Sequence, residues 1–299
     1  RAHHLADGHG LARLHVGIPG LQARRVGNDH DPGRVIPVGV VPADVHDHAT
    51  LPNRLMGADA VINLVGILKG DFQRVHVDGA RNVAEAAAAA GAQALVHVSA
   101  IGADPDSPSE YGRTKGEGEL AVRTAFPEAT IVRPSIAFGP EDDFVNRFAG
   151  MARLLPFVPV IRAKWRLQPV HAADLGKAIA MAALEPDRHA GMLYELGGPQ
   201  ALSMGEVNSW ICQATGRGSK PVVAIPDAIG RMIARLTGWL PAAPITWDQW
   251  LMLQTDNLPS GAHPGFEAFG IVPMPLAAAA EGWLPIYRRH GRWAQPSPY

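Results

Sequence analysis

The chain has 299 residues, 47% hydrophobic and 18% charged, with a formal net charge of -1. This balance excludes a disordered chain, and near-neutrality excludes a global field that would gather nucleic acid or anionic lipid. The single cysteine, Cys212, excludes an internal disulfide and fits a reducing compartment.

The amino-terminal segment is the least regular. Residues 14–18 read as a strand, as do residues 38–41, and residues 1–13 leave room for one helix only. No G-x-G-x-x-G follows a strand: Gly8-His9-Gly10 has Arg13 where a third glycine would stand. The expectation is a chain that starts just after a glycine loop, with a divergent segment as the rival reading. No secretory signal is visible, and the first residue is Arg1.

From about Ala58 the pattern becomes regular. Residues 60–65 form a short apolar run that reads as a strand buried on both faces. A helix is expected over residues 72–90, stopped by Gly91. Residues 94–98 give a second buried strand, 111–125 a helix, and 129–133 a third strand closed by Pro134. Strand, helix, strand, helix, strand predicts a parallel sheet wrapped by helices. Beyond Phe144 prolines become frequent, with helices expected over residues 172–184, 203–215 and 226–236. Trp239, Trp247, Trp250, Trp283 and Trp293 gather late and read as the core of a smaller lobe, or as a partner surface. No stretch reaches the roughly 18 apolar residues of a membrane span, so any membrane contact is expected to be peripheral.

The strongest chemical signal is Tyr111-Gly112-Arg113-Thr114-Lys115. Residues four apart share a helix face, so the Lys115 ammonium is expected beside the Tyr111 phenol. A nearby cation favours phenolate and should lower a pKa of about 10. The same lysine can hold ribose hydroxyls. Ser99, at the end of a strand, can donate to a substrate carbonyl; it reads equally as a turn former. Asn63, Val65 and Gly66 end another strand with a backbone that a cofactor can approach. Pro134 and Ser135 end the third. Asp44 and Val45 follow residues 38–41, where Asp44 can accept from an adenine amino group or simply cap a turn. Arg24 and Arg25 can pair with a ribose 2′-phosphate or stand solvated. His46-Asp47-His48 and Glu141-Asp142-Asp143 read as polar loops, and no metal site is expected. Cys212 reads as core.

Several stretches carry a resemblance. They are residues 57–68, His76-Val77-Asp78-Gly79-Ala80-Arg81-Asn82-Val83, Ser99-Ala100-Ile101-Gly102-Ala103-Asp104, residues 111–119, residues 133–143, Gln168-Pro169-Val170-His171-Ala172-Ala173-Asp174, and residues 194–199 and 245–257. In these the chain resembles the extended and atypical short-chain dehydrogenase/reductases. More narrowly, it is similar to the family of the nucleotide-binding accessory subunit nine of the respiratory complex I alpha subcomplex and its bacterial relatives.

The resemblance implies a Rossmann-type doubly wound parallel sheet with a smaller carboxyl-terminal lobe. Residues 1–143 would form the dinucleotide-binding core; residues 144–299 would return partly to it and build a substrate or partner lobe. It implies NADP(H) or NAD(H), surrounded by Asp44, Asn63, Gly66, Tyr111, Lys115, Pro134 and Ser135, with Val45 and Val65 counted among the cofactor-binding residues; Arg24 and Arg25, just after the presumed second strand, tip the expectation slightly towards NADP(H). Tyr111, Lys115 and Ser99 would be the catalytic set. The implied role is an accessory or assembly factor of respiratory complex I or of quinone metabolism; the alternative is an active NAD(P)-dependent oxidoreductase or epimerase. Expected partners are a dinucleotide and complex I or quinone-biosynthesis proteins, with no nucleic acid. The expected location is cytoplasmic, or peripheral on the cytoplasmic face of an inner membrane or on the matrix side. Two departures stand out: His76 replaces an asparagine of the family pattern, and the usual catalytic hydroxyl position falls on Ala100, one residue after Ser99.

Overall fold

The computed structural model describes residues 43–240, 243–288 and 291. The strands expected over residues 14–18 and 38–41, the pair Arg24 and Arg25, and Trp293 lie outside the described residues. The elements run α1 (Leu51–Leu55), β1 (Ala60–Asn63), a π-helix (Gln73–Gly79) leading into α2 (Ala80–Ala89), β2 (Ala94–Val98), α3 (Glu110–Ala125), β3 (Thr130–Pro134), β4 (Ala137–Phe138), α4 (Val145–Leu154) and β5 (Val158–Ile161). They continue through β6 (Arg166–Leu167), β7 (Val170–His171), α5 (Ala172–Leu184), α6 (Pro186–His189), β8 (Leu193–Leu196), β9 (Leu202–Ser203), α7 (Met204–Ala214), β10 (Val222–Ile225), α8 (Asp227–Thr237), α9 (Trp247–Met252) and α10 (Leu276–Ala280).

The architecture is a Rossmann-like, doubly wound parallel sheet in the order β1-β2-β3-β8, flanked by helices, with a smaller carboxyl-terminal lobe. β1 and β2 pair in parallel from Ala60 opposite Ala94 to Asn63 opposite His97. The apolar run predicted as one strand over residues 60–65 is shorter because the Asn63 side chain accepts from the Val65 amide at 3.1 Å and turns the backbone out of the sheet. β2 is buried on both faces over four of its five residues, as a central parallel strand requires.

The predicted helix stop at Gly91 is present. Gly91 takes a positive φ of 73°, and the Ala92 amide returns to the Ala87 carbonyl at 3.1 Å. The helix expected over residues 72–90 differs in its first half, which winds as a π-helix; apolar spacing over seven residues does not separate the two windings.

The chain partitions into two compact units. One takes the chain to Val98 with Glu117–Ile131 and Ala182–Met192; the other takes Ser99–Gly116, Val132–Met181 and the chain from Leu193. In the first, Val45, Leu51, Val83 and Val96 are fully buried. The second holds a core in which Phe138, Val145, Leu167, Val207, Ile211 and Leu284 are buried, with Cys212 among them. Burial pushes the Cys212 thiol pKa up, so it behaves as a small core residue. α7 starts on a full capping box, Ser203 with Glu206.

Candidate functional site

In the first unit the end of β1 is fixed by histidines. Asn63 is buried, and its amide nitrogen lies 3.1 Å from His97 Nδ1. Val65 is partly buried and Gly66 exposed. The loop they open is held by His76, whose Nε2 accepts from the Ile67 amide at 3.1 Å while its ring stacks on Phe72 at 5.3 Å. The residue replacing the family's asparagine thus pins the loop after β1. Asp44 Oδ1 accepts from the His46 amide at 2.9 Å, which makes it a turn former in this structure. Val45 is fully buried, and its carbonyl accepts from Asn82 at 2.9 Å. His48 pairs with Glu85 at 3.0 Å on the surface, and Asp47 accepts from the Thr50 hydroxyl at 2.7 Å.

The second unit holds the tyrosine–lysine pair. α3 carries Tyr111 in its first turn and Lys115 one turn later, with Lys115 4% exposed. A sixteen-residue helix rich in glycine needs a firm start, and a remote carboxylate supplies it. Asp248 accepts from the Ser109 hydroxyl at 3.1 Å, the Glu110 amide at 2.6 Å and the Tyr111 amide at 3.2 Å. Three donors at a helix amino terminus, plus the dipole, suit a negative charge there. Asp248 is itself held in the first turn of α9, which a capping box of Thr246 and Gln249 begins. Sequence reading did not find Asp248; the Thr246-x-x-Gln249 box marks its helix but not its distant target.

The expected lowering of the Tyr111 pKa is not present. Burial pushes it up to about 12, so the phenol is a neutral hydrogen-bond donor at physiological pH. A stability consequence follows. Between pH 10 and 12 the unfolded chain releases the Tyr111 proton while the folded chain keeps it, so stability is full below pH 10 and falls as pH rises towards 12. The loss is at most roughly 2–3 kcal/mol, and Tyr111→Phe should lack it. Urea unfolding of both proteins at pH 9 and 11.5 checks this; parallel losses in the two would remove the tyrosine as its source.

Ser99 and the β3 end complete this region. Ser99 is 5% exposed; its amide donates to the Val132 carbonyl at 2.7 Å, and its buried hydroxyl has no hydrogen-bond partner among the described residues. The Pro134 carbonyl accepts from the Ile101 amide at 3.0 Å. The Ser135 hydroxyl donates to Asn257 Oδ1 at 2.6 Å and accepts from the Gln168 amide at 3.3 Å, so it ties the end of β3 to the segment after α9. Asp142, in the acidic run, caps α4 by accepting from the Val145 and Asn146 amides.

Comparison with known proteins was made on this geometry. Residues 70–234 match the RmlD substrate binding domain family. The chain is 33% identical over 259 residues to NADH dehydrogenase (ubiquinone) 1 alpha subcomplex subunit 9, mitochondrial, of Rattus norvegicus, covering 84% of this chain and 67% of the relative. The chain belongs to the subunit 9 family. That family sits within the extended short-chain dehydrogenase/reductases, as the sheet order and the Tyr111–Lys115 spacing lead one to expect. A shorter stretch of 145 residues is 38% identical to a ceramide reductase of Caulobacter vibrioides, covering 47% of this chain and 45% of that one. Among solved structures, an NADPH-dependent quinone oxidoreductase of Escherichia coli complexed with NADPH superposes with a TM-score of 0.64 at 22% identity, covering 82% of this chain and 83% of that one, and shares the fold.

Proposed function

We propose that this chain binds a nicotinamide dinucleotide and serves as an accessory or assembly subunit of a membrane-bound NADH dehydrogenase or of quinone metabolism. The observation that carries the reading is the placement of Tyr111 and a buried Lys115 one turn apart on α3, in a member of the subunit 9 family. The residues present fit such a cofactor. Ser99 offers a buried hydroxyl with no hydrogen-bond partner among the described residues, and Gly66 leaves backbone exposed after β1. Asn63, Val65, Gly66, Tyr111, Lys115 and Pro134 would hold the cofactor, with Asp44 and Val45 at its adenine end and Ser135 acting through Asn257. Arg24 and Arg25 would select NADP(H) over NAD(H). Residues 1–143 would then be the nucleotide core and residues 144–299 the partner lobe, at the cytoplasmic or matrix face of an energy-transducing membrane.

A neutral phenol of pKa about 12 suits a binding donor better than a proton-transfer group. A bound dinucleotide would instead stabilise the folded state by mass action. The second reading is an NAD(P)-dependent oxidoreductase or epimerase, which the unpartnered Ser99 hydroxyl favours. A nicotinamide supplies hydride when bound. Here Tyr111 would hold a proton at its Oη, and Ser99 Oγ would donate to a substrate carbonyl. Tyr111→Phe separates the two readings. The accessory reading expects nucleotide binding to weaken only by the roughly two- to tenfold of one lost neutral hydrogen bond and subunit assembly to survive the change, with no turnover in either protein. A measured turnover of added NAD(P)H that the change abolishes would contradict it and establish the enzyme.

A further inference from the structure

α8 has two apolar stripes. One faces inward: Gly230 and Ala234 are buried against Trp250, and Ile233 packs beside them. A methyl group at Gly230 would lie 2.9 Å from the Trp250 ring, so this side is already in close contact. The other stripe faces solvent. Ile229, Met232 and Leu236 are 43%, 54% and 65% exposed, and the chain leaves the helix through Trp239 at 79% and Leu240 at 39%. Positions i, i+3 and i+7 lie in one row along a helix, so these side chains form a continuous edge ending in a tryptophan.

The charges flanking that edge are of one sign. Arg231 and Arg235, four residues apart, are exposed beside it, and the Arg235 guanidinium lies 5.7 Å from the Trp247 ring centroid. Arg147 donates to the Pro244 carbonyl at 3.2 Å in the loop that follows. The carboxylates nearby are engaged: Asp227 pairs with Arg162 at 2.5 Å, and Asp248 holds the start of α3. A chain of net charge -1 therefore carries a locally basic, apolar face. A second copy meeting this face about a two-fold axis would set arginines against arginines. An anionic bilayer offers both complements at once, hydrocarbon beneath the stripe and phosphate beside the arginines, with tryptophan at headgroup level. Among the described residues no helix is long and apolar enough to cross a membrane.

We propose that α8 and the Trp239–Leu240 turn lie in the plane of an anionic membrane surface, with Ile229, Met232 and Leu236 inserted and Arg231 and Arg235 on lipid phosphates. The inference gives the membrane side of the accessory reading a location. It uses none of the nucleotide residues, so its failure would leave nucleotide binding untouched.

The test is co-sedimentation of the full chain with vesicles of phosphatidylcholine alone and of phosphatidylcholine mixed with phosphatidylglycerol. Binding is expected to the mixed vesicles only, to weaken with salt, and to fall about fivefold for each arginine in R231Q and R235Q. M232E/L236E should abolish binding, whereas Leu184→Glu, at a residue 79% exposed in the other unit, should not. All these positions are exposed, so melting temperature should hold. The Trp239 contribution to a fluorescence blue shift on vesicles, lost in Trp239→Phe, reads insertion independently. Wild-type protein that stays in the supernatant with both vesicles would overturn the proposal. So would equal binding by M232E/L236E, or a solution dimer that M232E/L236E converts to monomer.

Discussion

Gly118→Ala is expected to destabilise the protein by at least about 2–3 kcal/mol, although alanine in a helix interior ordinarily gains roughly 1 kcal/mol over glycine. The reversal comes from one contact. A Cβ on Gly118 would overlap the His76 carbonyl oxygen, and that oxygen belongs to backbone that cannot swing aside. His76 also holds the Ile67 amide, so moving its turn would release the loop after β1. Gly150 in α4 has open space around its missing Cβ, so Gly150→Ala should raise stability by roughly 0.5–1 kcal/mol. Urea unfolding of the two variants gives the comparison. A Gly118→Ala protein as stable as the wild type would remove the close helix contact from the account.

Lys115→Met should weaken dinucleotide binding about ten- to a hundredfold, the range that follows from losing charge-assisted hydrogen bonds of roughly 1.5–3 kcal/mol. Methionine keeps most of the volume at a site where the lysine is 4% exposed, so packing is largely preserved. Thermal shift with added NADPH gives a clean readout. The wild-type melting temperature should climb with ligand concentration, by the equivalent of about 2.7 kcal/mol at a hundredfold excess over Kd. The variant should climb little over the same range. Identical ligand-induced shifts in both would make Lys115 a structural cation with no part in binding.

Much of the frame is readable in the sequence because it is set by local pattern. The strand over residues 94–98 and the helix over 172–184 occur with those bounds, and α3 and β3 begin within one residue of the expected positions. The two helices and β3 stop at or within two residues of a proline, and the strand over residues 94–98 is an apolar run that begins three residues after Gly91. Of the late tryptophans, Trp250 and Trp283 are core, whereas Trp239 and Trp247 are exposed; composition alone does not say which face of a short helix is covered. The site is less legible because its supports are distant in sequence. Asp248 reaches back 137 residues to Tyr111, and Asn257 reaches back 122 to Ser135. The Tyr111 pKa went the other way from expectation because helical spacing reveals the neighbouring cation but not the depth of burial.

The central claim is that the strand ends and α3 of this chain hold a nicotinamide dinucleotide. Native mass spectrometry of the full-length protein, purified gently and then incubated with NADPH or NADH, tests it most directly. The account predicts a peak heavier by one dinucleotide per chain, stronger with NADPH, and needing about ten- to a hundredfold more nucleotide to appear in Lys115→Met. A wild-type chain that stays at its bare mass with both nucleotides at saturating concentration would contradict it.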